Sequence, residues 1–114
     1  MITLYHNPRC SKSRLTLALL REHNIEPVIV PYLEQRLDAA QLQTILDKLG
    51  YKPRALLRRS EEDCKRLGLK NSDLSDQRLL QAMVDCPKLI QRPIAVRGER
   101  AAIGRPPKNV LELL

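Results

Sequence analysis

The order of patterns along the chain predicts an α/β domain, a mixed β-sheet flanked by helices with a mainly helical insertion over about residues 38–86. Three observations carry this expectation. A short apolar strand runs into a helix and then a second strand; a succession of capped helical segments follows; and the C-terminal part returns to two strands and a closing helix. With 114 residues the chain is long enough for one domain with a genuine core and no disulfides.

The first strand spans residues 2–5. The helix after Cys10 is carried by Leu15, Ala18 and Leu19 with the neighbouring Leu17 and Leu20, and Asn24 breaks it. Residues 27–32, Pro-Val-Ile-Val-Pro-Tyr, read as a short buried strand limited by a proline near each end. Two strands joined by a helix suggest a right-handed βαβ unit in a mostly parallel sheet. Asp38 is then a good N-cap. Gln41 completes a capping box, Leu37 and Leu42 form a hydrophobic staple, and Leu42, Ile45, Leu46 and Leu49 share one face before Gly50 ends the helix.

Pro53 opens a short helix over residues 54–59, and Ser60 with Glu61, Glu62 and Asp63 starts another that stops near Gly68. A further helix begins around Ser75, turns Leu79, Leu80, Met83 and Val84 inward, and is closed by Pro87. Strands over residues 89–96 and 101–103 flank a turn at Arg97-Gly98-Glu99-Arg100. Pro106 and Pro107 introduce a final short helix bearing Val110, Leu111 and Leu114. The order β-α-β, helices, β-β-α is that of a thioredoxin-like domain with a helical insert.

Composition narrows the function classes. Hydrophobic content of 43% with 29% charged residues is that of an ordinary globular protein. No apolar run approaches a membrane span and the N-terminus carries no export signal, which predicts a cytoplasmic protein. The net charge of +7 admits an anionic partner, yet three Tyr with no Phe or Trp leave no base-stacking platform, so nucleic acid is not expected. No surplus apolar face is evident, and a monomer is the default.

The chemistry concentrates in His6-Asn7-Pro8-Arg9-Cys10-Ser11-Lys12-Ser13-Arg14. Cys10 falls in the turn from strand to helix, where the first backbone N–H groups have no partner within the helix and attract negative charge. A thiol there is more acidic than a free one, helped by the cations Arg9, Lys12 and Arg14 and by His6, with the Ser11 and Ser13 hydroxyls capping the helix or donating to sulfur. Cys10 is therefore a candidate nucleophile. Ser13 stands where a second cysteine would complete Cys-x-x-Cys, so another thiol must resolve any disulfide made at Cys10. Thr16 occupies the position where a Cys-x5-Arg phosphatase needs arginine, which disfavours that class. Cys64, Cys86 and His23 form no metal-ligand spacing with His6 and Cys10, and no metal is expected.

The loop His6-Asn7-Pro8-x-Cys10-x-x-Ser13-Arg14, followed in order by Arg54-Ala55-Leu56-Leu57-Arg58, Arg92-Pro93-Ile94 and Gly104-Arg105-Pro106, resembles the glutaredoxin-coupled arsenate reductases along essentially the whole chain. The resemblance implies a thioredoxin-like fold with Cys10 as nucleophile, Arg58, Arg92 and Arg105 as ligands of a tetrahedral oxyanion, and His6 helping to stabilise the thiolate. Ser13 and Arg14 support the loop; Arg14 and Arg59 rank below the three matched arginines. Pro93 matches a cis-proline beside the active-site cysteine, although an X-Pro bond by itself is cis in only about 5–6% of cases.

Planar guanidinium forks suit the arsenate dianion. With Ser13 in the motif, the resemblance implies glutathione as co-substrate, glutaredoxin as the partner that resolves the mixed disulfide, and no tightly bound cofactor. Two other readings remain at this point: a glutathione-dependent thiol oxidoreductase that does not act on arsenate, and a non-catalytic, polymerase-binding stress regulator. Cys64 and Cys86 match no functional position and are expected to be structural.

Overall fold

The computed structural model describes residues 1–114. The chain divides into two compact units, residues 1–35 with 92–114, and residues 36–91. The second is the helical insertion, a few residues wider at each end than its sequence bounds.

In the first unit, β1 (Thr3–Tyr5), α1 (Ser11–Glu22) and β2 (Val28–Val30) precede β3 (Ile94–Arg97), β4 (Arg100–Ile103) and a 3-10 helix, Pro107–Leu113. The sheet order is β2-β1-β3-β4, with β1 and β2 parallel and the other two pairs antiparallel. The sheet is thus mixed, and the parallel character expected of the βαβ unit stops at that one pair. Leu4, Ala95 and Ala102 lie side by side across three strands. The two small residues leave room on that face for Leu20 of α1 and for Val110 and Leu113, which complete the core with Ile2. Each large apolar side chain buried here contributes about 1.5–3 kcal/mol.

Four expectations need correction in this unit. β2 is an edge strand whose Val28 and Ile29 are exposed, not buried, because an edge strand lacks a neighbour on one side; Pro27 and Pro31 bracket it and keep it too short to recruit another strand. On α1 the buried residues are Ser13, Thr16 and Leu20, while Leu15 and Ala18 are exposed. Polar side chains take the inward positions at the start of this helix because that end carries the candidate site. The turn of the β3–β4 hairpin holds only Gly98 and Glu99, since Arg97 and Arg100 pair with each other, and Gly98 supplies the positive φ of 59° that such a turn demands. In the final 3-10 helix, Leu113 is buried with Val110 and Leu114 is exposed, because three residues per turn, not 3.6, brings positions three apart onto one face.

The second unit contains α2 (Ala39–Leu49), α3 (Pro53–Leu56), α4 (Glu62–Arg66), α5 (Asp76–Asp85) and a 3-10 turn, Pro87–Leu89. Asp38 accepts the Gln41 N–H at 2.7 Å and Gln41 returns the bond to the Asp38 N–H at 2.9 Å, the expected capping box; Gly50 closes α2 at φ 70°. Ser75 caps α5 by accepting the Arg78 N–H. Leu42, Ile45 and Leu46 of α2 and Leu79, Leu80, Ala82 and Met83 of α5 are buried where these helices pack, and α5 also contacts α3. α3 stops at Leu56, short of the expected residue 59, and the strand expected from residue 89 starts only at Ile94, with Leu89 closing a 3-10 turn that begins at Pro87. The cause is shared: Leu57 and Ile90 form an antiparallel bridge, with the Gln91 N–H on the Leu56 carbonyl and the Arg58 N–H on the Leu89 carbonyl. No helix is long and apolar enough to cross a membrane.

Candidate active site

The loop between β1 and α1 is shaped by Asn7. Its side chain accepts the Arg9 N–H at 3.0 Å and its carbonyl accepts the Cys10 N–H at 3.0 Å, a tight turn that Pro8 presets. Arg14 reaches back from α1 to the Pro8 carbonyl at 2.9 Å. The turn delivers Cys10 to the N-cap of α1 in extended conformation, with Ser11 as the first helical residue.

Cys10 is 7% exposed. Burial pushes its thiol up, but the Ser13 N–H, the Arg92 guanidinium, the Lys12 N–H and Arg105 together outweigh burial and hold it below the ordinary thiol range. Two of these groups, the Ser13 and Lys12 N–H, belong to the first turn of α1. The cations that act on the sulfur are Arg92 and Arg105, remote in sequence, in place of the expected Arg9, Lys12 and Arg14. Sequence proximity is a poor guide here, because side chains at a helix start diverge outward and Arg14 is committed to the loop backbone.

His6 and Ser13 are both buried, and Nδ1 of His6 lies 2.7 Å from the Ser13 oxygen, which also accepts the Asn7 N–H at 3.0 Å. Burial first, then Arg21 and Arg14, push the imidazole below its usual range. The ring is therefore neutral at neutral pH. The Ser13 oxygen and Nδ1 of His6 share one hydrogen bond, its direction set by the ring tautomer. His6 is thus no cation beside the thiolate; it braces Ser13, whose backbone N–H acts on the sulfur. Neither Ser11 nor Ser13 caps α1 through its hydroxyl.

Arg92 and Arg105 precede Pro93 and Pro106, and both bonds are cis. The first was singled out from the resemblance; the second was not foreseen. Nε and Nη1 of Arg92 are buried and bonded to no protein atom. Guanidinium donors of this kind are costly to bury and suit an incoming anion. Arg58 belongs to the second unit, where Nη1 meets Glu61 at 3.1 Å and the Lys88 carbonyl at 3.2 Å. No cluster of three or more His, Cys, Asp or Glu side chains could hold a metal ion.

The ArsC family model matches residues 5–113. The chain belongs to the ArsC family. Among ArsC-family relatives it is 46% identical to an arsenate reductase of Haemophilus influenzae, over 99% of this chain and 98% of that one. It is 53% identical to the uncharacterized protein YfgD of Escherichia coli, over 99% and 96% of the two chains. The arsenate reductase structure from Vibrio cholerae superposes with a TM-score of 0.96 at 47% identity, covering 99% of this chain and 97% of that one. The ArsC fold of this chain is accordingly thioredoxin-like, a mixed four-stranded sheet flanked by helices.

The other two cysteines belong to the second unit. Cys64 is fully buried on α4. Cys86 donates to Asp63 Oδ2 at 3.4 Å, and burial together with that carboxylate pushes its thiol up. Asn7 is the residue that sequence reasoning missed. An Asn-Pro pair ahead of a reactive cysteine was the available signal, since Asn side chains cap turns of this kind.

Proposed function

We propose that the protein reduces arsenate to arsenite, with Cys10 as nucleophile. The observation that carries this reading is one thiol, held acidic at a helix N-cap, facing two arginines of which one has buried donors bonded to no protein atom. The Cys10 thiolate attacks arsenic, a sulfur–arsenic bond forms, and one arsenic–oxygen bond breaks, its oxygen leaving as hydroxide that takes a proton from solvent to become water. Arg92 and Arg105 bind the remaining oxygens and offset the repulsion between thiolate and anion. Arg58 enters as a third oxyanion ligand on its sequence motif alone. His6 and Ser13 position the loop, with Arg14 and Pro93 supporting it.

A glutathione thiolate then attacks the Cys10 sulfur. A disulfide forms, the electron pair of the sulfur–arsenic bond stays on arsenic, and arsenic falls from the pentavalent to the trivalent state and leaves as arsenite. Glutaredoxin reduces the mixed disulfide. Two thiols have lost the two electrons that arsenic gained, so the cycle needs glutathione as co-substrate and no resident cofactor. The chain works as a monomer in the cytoplasm, where glutathione is kept reduced.

Arsenate-dependent NADPH oxidation, coupled through glutathione, glutaredoxin and glutathione reductase, tests the reading with wild type beside Cys10→Ser. Saturable turnover in the wild type alone is the expected result. A folded wild type without arsenate turnover, but with an acidic Cys10 that exchanges with mixed disulfides, would replace arsenate reduction by thiol oxidoreduction.

A further inference from the structure

Gly104 differs from the other three glycines. Gly50, Gly68 and Gly98 adopt positive φ with open space where a side chain would go, so they are explained by backbone conformation. Gly104 has no such φ. It is explained by space: a Cβ there would lie 2.4 Å from Thr16 Oγ1, 3.2 Å from Thr16 Cγ2 and 2.8 Å from Pro93 Cγ.

Two of the three residues in that contact adjoin a site arginine, and the third lies on the helix that Cys10 caps. Gly104 precedes Arg105, Pro93 follows Arg92, and Thr16 lies on α1 beyond Cys10. The Gly104 N–H donates to the Pro93 carbonyl at 2.9 Å, which clasps the two arginine-bearing segments together. Thr16 is fully buried, and its hydroxyl donates to the Lys12 carbonyl at 2.8 Å. Being β-branched and bonded to its own helix, it has no flexible end to move aside. Thr16 therefore seats the first turns of α1 directly on the clasp.

We propose that Thr16 and Gly104 are positioning residues: their close contact sets the separation of the Cys10 end of α1 from the segments that carry Arg92 and Arg105. Neither residue touches the reacting atoms. A methyl group at Gly104 must drive Thr16 back by more than half an ångström, since real Cβ contacts essentially never fall below 3.0 Å. The Coulomb pull of two guanidinium groups on a thiolate is steep at such distances, and displacement of about 1 Å in a reacting constellation can lower rates roughly 100-fold.

The test measures two things in Gly104→Ala, Thr16→Ala and the double variant: the pH profile of Cys10 alkylation, mapped by mass, and kcat/KM for arsenate. The proposal rests on the arsenate reading for the second measurement only, because the alkylation profile reports the geometry without any substrate. In Gly104→Ala the Cys10 midpoint should rise by about half a pH unit, and kcat/KM should fall about 100-fold. The double variant, relieved of both Thr16 contacts but not that with Pro93, should recover part of each loss. Thr16→Ala alone loosens the seat and should also raise the midpoint, which keeps the idea testable if Gly104→Ala does not fold. A folded Gly104→Ala or Thr16→Ala with the wild-type Cys10 profile would overturn it, and so would a double variant no better than Gly104→Ala.

Discussion

The Ser13 hydroxyl oxygen lies 2.7 Å from Nδ1 of His6, and both side chains are buried. That oxygen also holds the Asn7 N–H, so one hydroxyl ties the start of the loop to the first turn of α1. The backbone N–H of the same Ser13 draws on the Cys10 sulfur. Loop order and thiol acidity thus meet in one residue, by two separate groups.

That separation is measurable. Ser13→Ala removes the hydroxyl and leaves the Asn7 N–H and His6 Nδ1 without a partner, at about 1–3 kcal/mol. Urea denaturation should register the loss, whereas the alkylation profile of Cys10 should stay below that of a free thiol because the residue-13 N–H remains.

His6 makes stability depend on pH. Its folded pKa lies below the ordinary value, so as pH falls below about 6.5 the unfolded chain takes up a proton that the folded chain resists. Stability is fully present above that pH and declines beneath it. The urea midpoint should drop between about pH 7.5 and about pH 5.5 by more in wild type than in His6→Gln.

Arg92 trades stability for binding. Its buried Nε and Nη1 find no protein acceptor, so Arg92→Met should melt at or above the wild-type temperature. The same variant should titrate Cys10 at higher pH and raise KM for arsenate by about tenfold or more, since a hydrogen bond to a charged group is worth about 1.5–3 kcal/mol. A thermal melt and the coupled assay on one preparation decide both halves.

The thiols should react in a fixed order. Burial, and then Asp63, push the Cys86 thiol up, and Cys64 is fully buried, so limiting iodoacetamide at neutral pH should modify Cys10 first. Asp63→Asn should speed modification of Cys86 severalfold and leave Cys10 unchanged, as peptide mass mapping will report.

Much of this protein was legible from local pattern alone. A capping box needs only the four residues from Asp38 to Gln41, a short-range effect that holds in three dimensions; the helix start supplies Cys10 with the Ser13 and Lys12 N–H groups, but its acidity also draws on Arg92 and Arg105 from far along the chain. Apolar periodicity identified most of the α2 and α5 faces because amphipathic helices bury one stripe whatever they pack on. The resemblance of four short motifs pointed to the family, and to Arg58, Arg92 and Arg105 as oxyanion ligands beside the cysteine.

Tertiary structure decided what depends on neighbours far along the chain. Strand order left Val28 and Ile29 at an edge, where the same apolar run in a central strand would be buried. Packing at the site turned Ser13 and Thr16 inward ahead of Leu15, and burial, with Arg21 and Arg14 nearby, made His6 a neutral brace for Ser13. The need for glycine at 104 arises only once α1 is seated against the Pro93 segment. A residue's own chemistry and its near neighbours set its local conformation, but desolvation and long-range charge depend on which distant segments the fold brings beside it.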